Sequence, residues 1–178
     1  CLAIARCQVN TMNFSKKLLI LSVVPAGLLV LAALVGVMGL RRTEARLADV
    51  FDREQPLAQA VTDMYGHGLQ AGQALRNVIL DPANPTAYKN MDAAIKSYDE
   101  AAAVAVPLAA GTPAEALLNK VAEARNRQQA ARQAVLAWVK TDTAAAVTLL
   151  YKQETPAWRE MRSGLLEAGK LSRAGLNA

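Results

Sequence analysis

From Leu18 to Leu40 the chain reads LLILSVVPAGLLVLAALVGVMGL, twenty-three positions without a charge. At about 1.5 Å of rise per residue this is on the order of 34 Å of helix, enough to cross a hydrocarbon core of about 30 Å with some tilt. A core helix of a water-soluble domain would be shorter and would carry a polar face. A cleaved signal sequence has a shorter apolar run that ends in a small-x-small site, whereas this one ends in Gly39, Leu40, Arg41, Arg42. The stretch therefore predicts a retained membrane anchor. Pro25 and Gly27 fall inside it, and lipid-embedded helices accommodate both.

The anchor divides the rest. Met12 followed by Asn13, Phe14, Ser15, Lys16 and Lys17 reads as a start, so residues 1–11 are expected to be an upstream leader that is not native and 12–17 a short cytoplasmic tail. Residues 18–40 are the transmembrane helix and 41–178 one extracytoplasmic domain. A second membrane span and a cytoplasmic output are expected to be missing from the sequence. Both cysteines, Cys1 and Cys7, fall in the leader, so from Met12 onward the chain has neither an internal disulfide nor a thiolate metal site.

Alanine, leucine, glutamine and charged residues dominate the domain, and aromatics make up 4% of the chain. No run alternates β-branched or aromatic residues with polar ones, and an all-α fold follows. The formal charge of +5 invites a nucleic-acid reading until it is located. Through Arg53 there are seven basic residues against three acidic, and beyond it thirteen against twelve. The excess flanks the anchor, where it suits lipid headgroups, and no nucleic-acid partner is expected. Lys16 and Lys17 on one side are matched by Arg41, Arg42 and Arg46 on the other. Because long domains translocate largely regardless of charge, the domain is placed outside the inner membrane of a bacterium, periplasmic or extracellular.

Beyond Arg41 nothing stops a helix strongly before Leu80, so the anchor is expected to continue into the first domain helix with a kink at Pro56. Leu57, Val61, Met64, Gly68, Ala71, Leu75 and Val78 alternate at spacings of four and three, a bundle seam. Beside it runs a second: Ala58, Thr62, Tyr65, Leu69, Gly72, Arg76, Ile79. Two seams let one helix face its own bundle and a symmetry mate, so a homodimer is expected. Asn84 as N-cap and Pro85 at the first position open a second helix with Tyr88, Met91, Ile95, Tyr98, Ala102 and Ala105. It ends around Pro107 to Gly111. Thr112 to Glu115 reads as a capping box for a third, with Leu117, Val121, Ala124, Gln128, Ala131, Val135 and Trp138. Asp142 or Thr141 caps a fourth with Val147, Tyr151, Glu154, Trp158, Met161, Leu165 and Ala168, kinked at Pro156. The fold expected is an N-terminal transmembrane helix continuing into an antiparallel up-down-up-down four-helix bundle.

Enzymatic machinery is hard to assemble here. His67 is the sole histidine, and neither a phosphate loop nor a histidine-glutamate metal pattern appears. No catalytic residue, metal or cofactor is expected. His67 reads as a surface histidine, Gln128 as a register-setting polar residue, and Trp138 and Trp158 as core or membrane-proximal packing. Gly66, Gly68 and Gly72 each cost about 1 kcal/mol relative to alanine in a helix, which suggests close approach of another helix or room for a ligand.

Arg76 stands out. A guanidinium on a seam with Leu69, Gly72 and Ile79 is costly to desolvate unless an acidic group meets it. A small carboxylate held bidentately across a dimer seam would do so; the plainer alternative is an arginine reaching from the seam edge to water. Gln70, Gln73 and Asn77 surround it, and Thr148 is a candidate from the fourth helix.

The run LQAGQALRNVILDPANPTAYKN, Leu69 to Asn90, behind an anchor and FDREQPLAQAV, resembles methyl-accepting chemotaxis proteins with a four-helix-bundle input domain. ETPAWREMRSGLLEAG, Glu154 to Gly169, fits the returning helix of that family, and the resemblance covers Met12 to Ala178. It implies a dimeric receptor that binds a small molecule at the membrane-distal part of the bundle, near Arg76, Asn77 and Gln73, and signals by a piston-like shift of the returning helix. It implies contact with a chemotaxis histidine kinase and a coupling protein only through a cytoplasmic part. The same input domain occurs on sensor histidine kinases and cyclases, and a membrane-anchored structural bundle without a small ligand is the reading from another class.

Overall fold

The computed structural model describes residues 14–176, and every regular element among them is helical. The 1–11 leader, both cysteines and the start at Met12 lie outside the described residues. The chain divides into two compact units, one up to Leu47 and one from Ala48 onward.

The first unit is built from α1 (Phe14–Asp49), 36 residues with Pro25 inside. Among the described residues one helix is long and apolar enough to cross a membrane, near the N-terminus, and Leu21, Val24, Leu28, Leu31 and Val35 on it are all exposed. Two of its hydroxyls are satisfied locally: Ser22 donates to the Leu18 carbonyl at 3.0 Å and Thr43 to that of Gly39 at 3.1 Å. Such back-bonding removes the need for an outside partner, which an apolar solvent does not supply.

The second unit takes in the last two residues of α1 and then a π-helical turn, Val50–Glu54, followed by α2 (Gln55–Leu80), α3 (Pro85–Ala109), α4 (Glu115–Trp138), α5 (Thr143–Leu149), a second π-turn (Leu150–Glu154) and α6 (Thr155–Leu176). Each π-turn stands just ahead of a proline, Pro56 or Pro156. A proline inside a helix lacks an N–H, and its ring presses on the carbonyl four residues back. The chain answers identically at both places: the residue before the proline bonds five residues back, Gln55 to the Val50 carbonyl and Thr155 to that of Leu150. The kinks expected at the prolines are thus π-turns.

The helix starts follow from side-chain caps. Asn84 accepts from the amides of Thr86 and Ala87 with Pro85 at the first position, and Asp142, not Thr141, accepts from that of Ala145. At the third helix the expected capping box is shifted. Ala114 is the N-cap; Thr112 takes the Ala114 amide, while the Glu115 carboxylate accepts from Gly111, whose φ of 73° makes the turn. Glycine fits that left-handed conformation without penalty.

Two apolar clusters fill the unit. One gathers Leu57, Val61 and Met64 with Tyr98, Val121, Trp158 and Leu165; the other gathers Leu75 and Val78 with Met91, Val135, Val139 and Leu150. α2 packs extensively on α3 and α4 on α6, whereas α3 and α4 touch little. Every member of the first seam, Leu57 to Val78, is buried. Of the seam positions expected on the later helices, Tyr88, Ile95, Ala102, Leu117 and Val147 are half-buried and two are exposed: Trp138 is 49% exposed, with Val139 inside in its place, and Tyr151 is 69% exposed, with Leu150 inside.

Candidate functional site

Four of the five residues singled out from the sequence line one groove of about 780 Å³ between α2 and α3: Gln70, Gln73, Arg76 and Asn77. Helical spacing puts them there, since 70, 73, 76 and 77 share a face. Across the groove α3 contributes Asn90, Ala93, Ala94 and Ser97. The alanines keep the wall low, and the amides and the serine offer both donors and acceptors. His67 also lines the groove, its Nδ1 3.3 Å from Gln70 Oε1.

Thr148 does not join them. It is exposed on α5 and its hydroxyl donates to the Ala144 carbonyl at 2.9 Å. Arg76 is placed as expected but for a different reason. Its second seam is not a buried apolar stripe: Thr62, Leu69 and Arg76 are exposed. The guanidinium folds back, Nη1 donating to the Gly72 carbonyl at 2.8 Å. The absence of a Cβ on Gly72 makes that room, because a methyl there would stand 3.2 Å from Nη1. Arg76 therefore needs no acid to offset desolvation, and its remaining donors border the groove. Gly66, by contrast, has nothing within 4 Å of the place a Cβ would take.

A second polar arrangement, buried between the two apolar clusters, went unread in the sequence apart from Gln128. Arg125 Nη1 donates to Gln128 Oε1 at 3.0 Å, and Gln128 Nε2 donates to Glu154 Oε1 at 2.9 Å. Arg125 Nη2 reaches Asp99 on α3 at 3.1 Å, and its guanidinium lies 4.3 Å above the Tyr98 ring. Arg132, a turn beyond Gln128, is buried with Nη1 unbonded. Burial first, then Arg125, lower its pKa, while Glu154, Asp99 and Asp92 pull it back up. The legible signal was the spacing: 125, 128 and 132 repeat at three and four beside the apolar stripe.

Burial pushes the Tyr98 phenol up to about 12, with Arg125 acting in the lowering direction and Asp99 in the raising one. The folded state thus holds that proton more tightly than the unfolded chain, whose tyrosine titrates near 10.0. Its contribution to stability is complete below pH 10 and lost as pH rises toward about 12. Urea denaturation at pH 9 and 11.5 is expected to show that loss in the native chain and a smaller one in Tyr98→Phe.

Among the described residues no group of three His, Cys, Asp or Glu side chains stands close enough to hold a metal ion. Comparison with protein-family models, curated proteins and solved structures finds no match.

Proposed function

We propose that this chain is the sensory input region of a transmembrane chemoreceptor, with α1 crossing the inner membrane and α2, α3, α4 and α5–α6 forming an antiparallel up-down-up-down four-helix bundle outside it. The single observation that carries this reading is the groove. An extended polar recess built from four residues chosen for their chemistry lies on a helix that follows an apolar, exposed α1. Its occupant is a small polar molecule with a carboxylate, met by the free donors of Arg76 and oriented by Gln73 and Asn77. A homodimer with the exposed second seam of α2 facing its mate would close the groove.

A ligand in this groove acts only through the difference in its affinity for two helix arrangements. Displacement of the returning α6 relative to α2 is the form that suits a rod leading back to the membrane. The output is a cytoplasmic signalling domain reached through the bilayer.

A thermal-shift screen of the full chain in detergent against small carboxylates tests this. The expected result is one or more acids that raise Tm, with the shift lost in Arg76→Ala and helicity unchanged by circular dichroism. A panel with no stabilising acid, or a shift that survives Arg76→Ala, removes this groove as the site.

A further inference from the structure

The segment ahead of Pro156 carries two complete sets of core residues. In a straight α-helix the residues that share a stripe with Glu154 and Trp158 are Val147 and Tyr151. In the structure that place is taken by Ala146 and Leu150, while Val147 stays half-buried against the same cluster and Tyr151 points out. The slip of one residue is the work of the π-turn, which spends five residues where an α-turn spends four. Both sets are suited to the interior, so the sequence supports either register.

Polar atoms at the turn and opposite it lack partners. Glu154 Oε2, Thr155 Oγ1 and Arg132 Nη1 are buried without a hydrogen-bond partner, two of them at the turn itself and one on the facing helix. Unpaired buried groups carry the full cost of their desolvation, which brings a competing arrangement closer in energy. Against it stands Pro156, whose ring would press on the Lys152 carbonyl in a straight helix.

We propose that Thr143 to Glu154 is a register switch: α5 turns by one residue, about 100°, relative to α6, and Leu150 and Tyr151 exchange between core and surface. In the α register the Tyr151 ring and hydroxyl face α4 on the side of Arg132, which supplies a partner to a stranded guanidinium. A molecule that prefers one face of α5 selects the register, so this helix reports without a shift of the whole bundle. The device goes beyond the receptor reading and stands or falls without any ligand.

The test uses the full chain with Cys1 and Cys7 replaced by serine, so that an introduced thiol is unique. Tyr151→Cys and Leu150→Cys are labelled with a water-soluble maleimide, each with and without Pro156→Ala. With Pro156 present, Cys at 151 is expected to label at least tenfold faster than at 150. Pro156→Ala is expected to shrink or invert that ratio by at least tenfold. Hydroxyl-radical footprinting of Tyr151, which needs no cysteine, is expected to show at least fivefold less oxidation in Pro156→Ala than in the native chain. A labelling ratio and a Tyr151 reactivity both unmoved by Pro156→Ala overturn the switch.

Discussion

Glu154→Ala is expected to destabilise the helical domain by about 1–3 kcal/mol, the range for leaving a buried hydrogen-bonding group without its partner. Glu154 is 1% exposed, and its Oε1 is the acceptor for Gln128 Nε2. Alanine leaves that amide without an acceptor and removes the carboxylate whose charge acts on Arg132. Glu154→Gln keeps an oxygen for Gln128 and removes only the charge, so its loss is expected to be smaller. Equilibrium denaturation of both variants separates hydrogen bond from charge. Equal losses below about 1 kcal/mol would mean that the carboxylate neither holds Gln128 nor balances the arginines. Replacing Arg125, Gln128, Arg132 and Glu154 together by apolar residues of similar volume is expected to cost little, because a buried ionic layer rarely stabilises more than good packing would. What the layer gives in exchange is a hydrogen-bonded link between α4 and the second π-turn.

Much of the helical plan was readable, because it depends on local chemistry. The Asn84 and Asp142 caps, the Pro85 start and the seam from Leu57 to Val78 are each set by residues within a turn of one another. Tyr151 was misplaced because a spacing argument assumes 3.6 residues per turn throughout, and one π-turn shifts every position ahead of it. Trp138 failed on a smaller ambiguity: from Val135 the next buried step is three or four residues, and the structure takes Val139. Of the two readings of Arg76, the structure fits the arginine reaching from the seam edge to water, since it is exposed and bonded to its own helix. Arg125 and Arg132 were passed over because arginine defaults to the surface. Only the tertiary arrangement, in which Arg125 of α4 reaches Asp99 and the Tyr98 ring of α3, keeps a guanidinium inside.

The glycines of α2 make the sharpest case for reading positions one by one. Gly68→Ala and Gly66→Ala are expected to change stability in opposite directions, although the two stand two residues apart on the same helix. A Cβ on Gly68 would lie 2.4 Å and 2.5 Å from two atoms of the Trp158 ring, which is buried and packed near Tyr65 at a centroid distance of 6.4 Å. An indole cannot bend away as a lysine tip can, so the ring or the helix must move, at about 1–3 kcal/mol for overpacking. At Gly66 nothing stands within 4 Å, and alanine there recovers the helix propensity that glycine forgoes, roughly 0.5–1 kcal/mol. Since Trp138 is half-exposed, a Trp138→Phe background leaves Trp158 as the only indole. In that background Gly68→Ala is expected to red-shift the emission and lower the denaturation midpoint, and Gly66→Ala to leave the emission alone and raise it. Two midpoints moving together would mean that α2 does not approach α6 at Gly68 as closely as the packing of Trp158 requires.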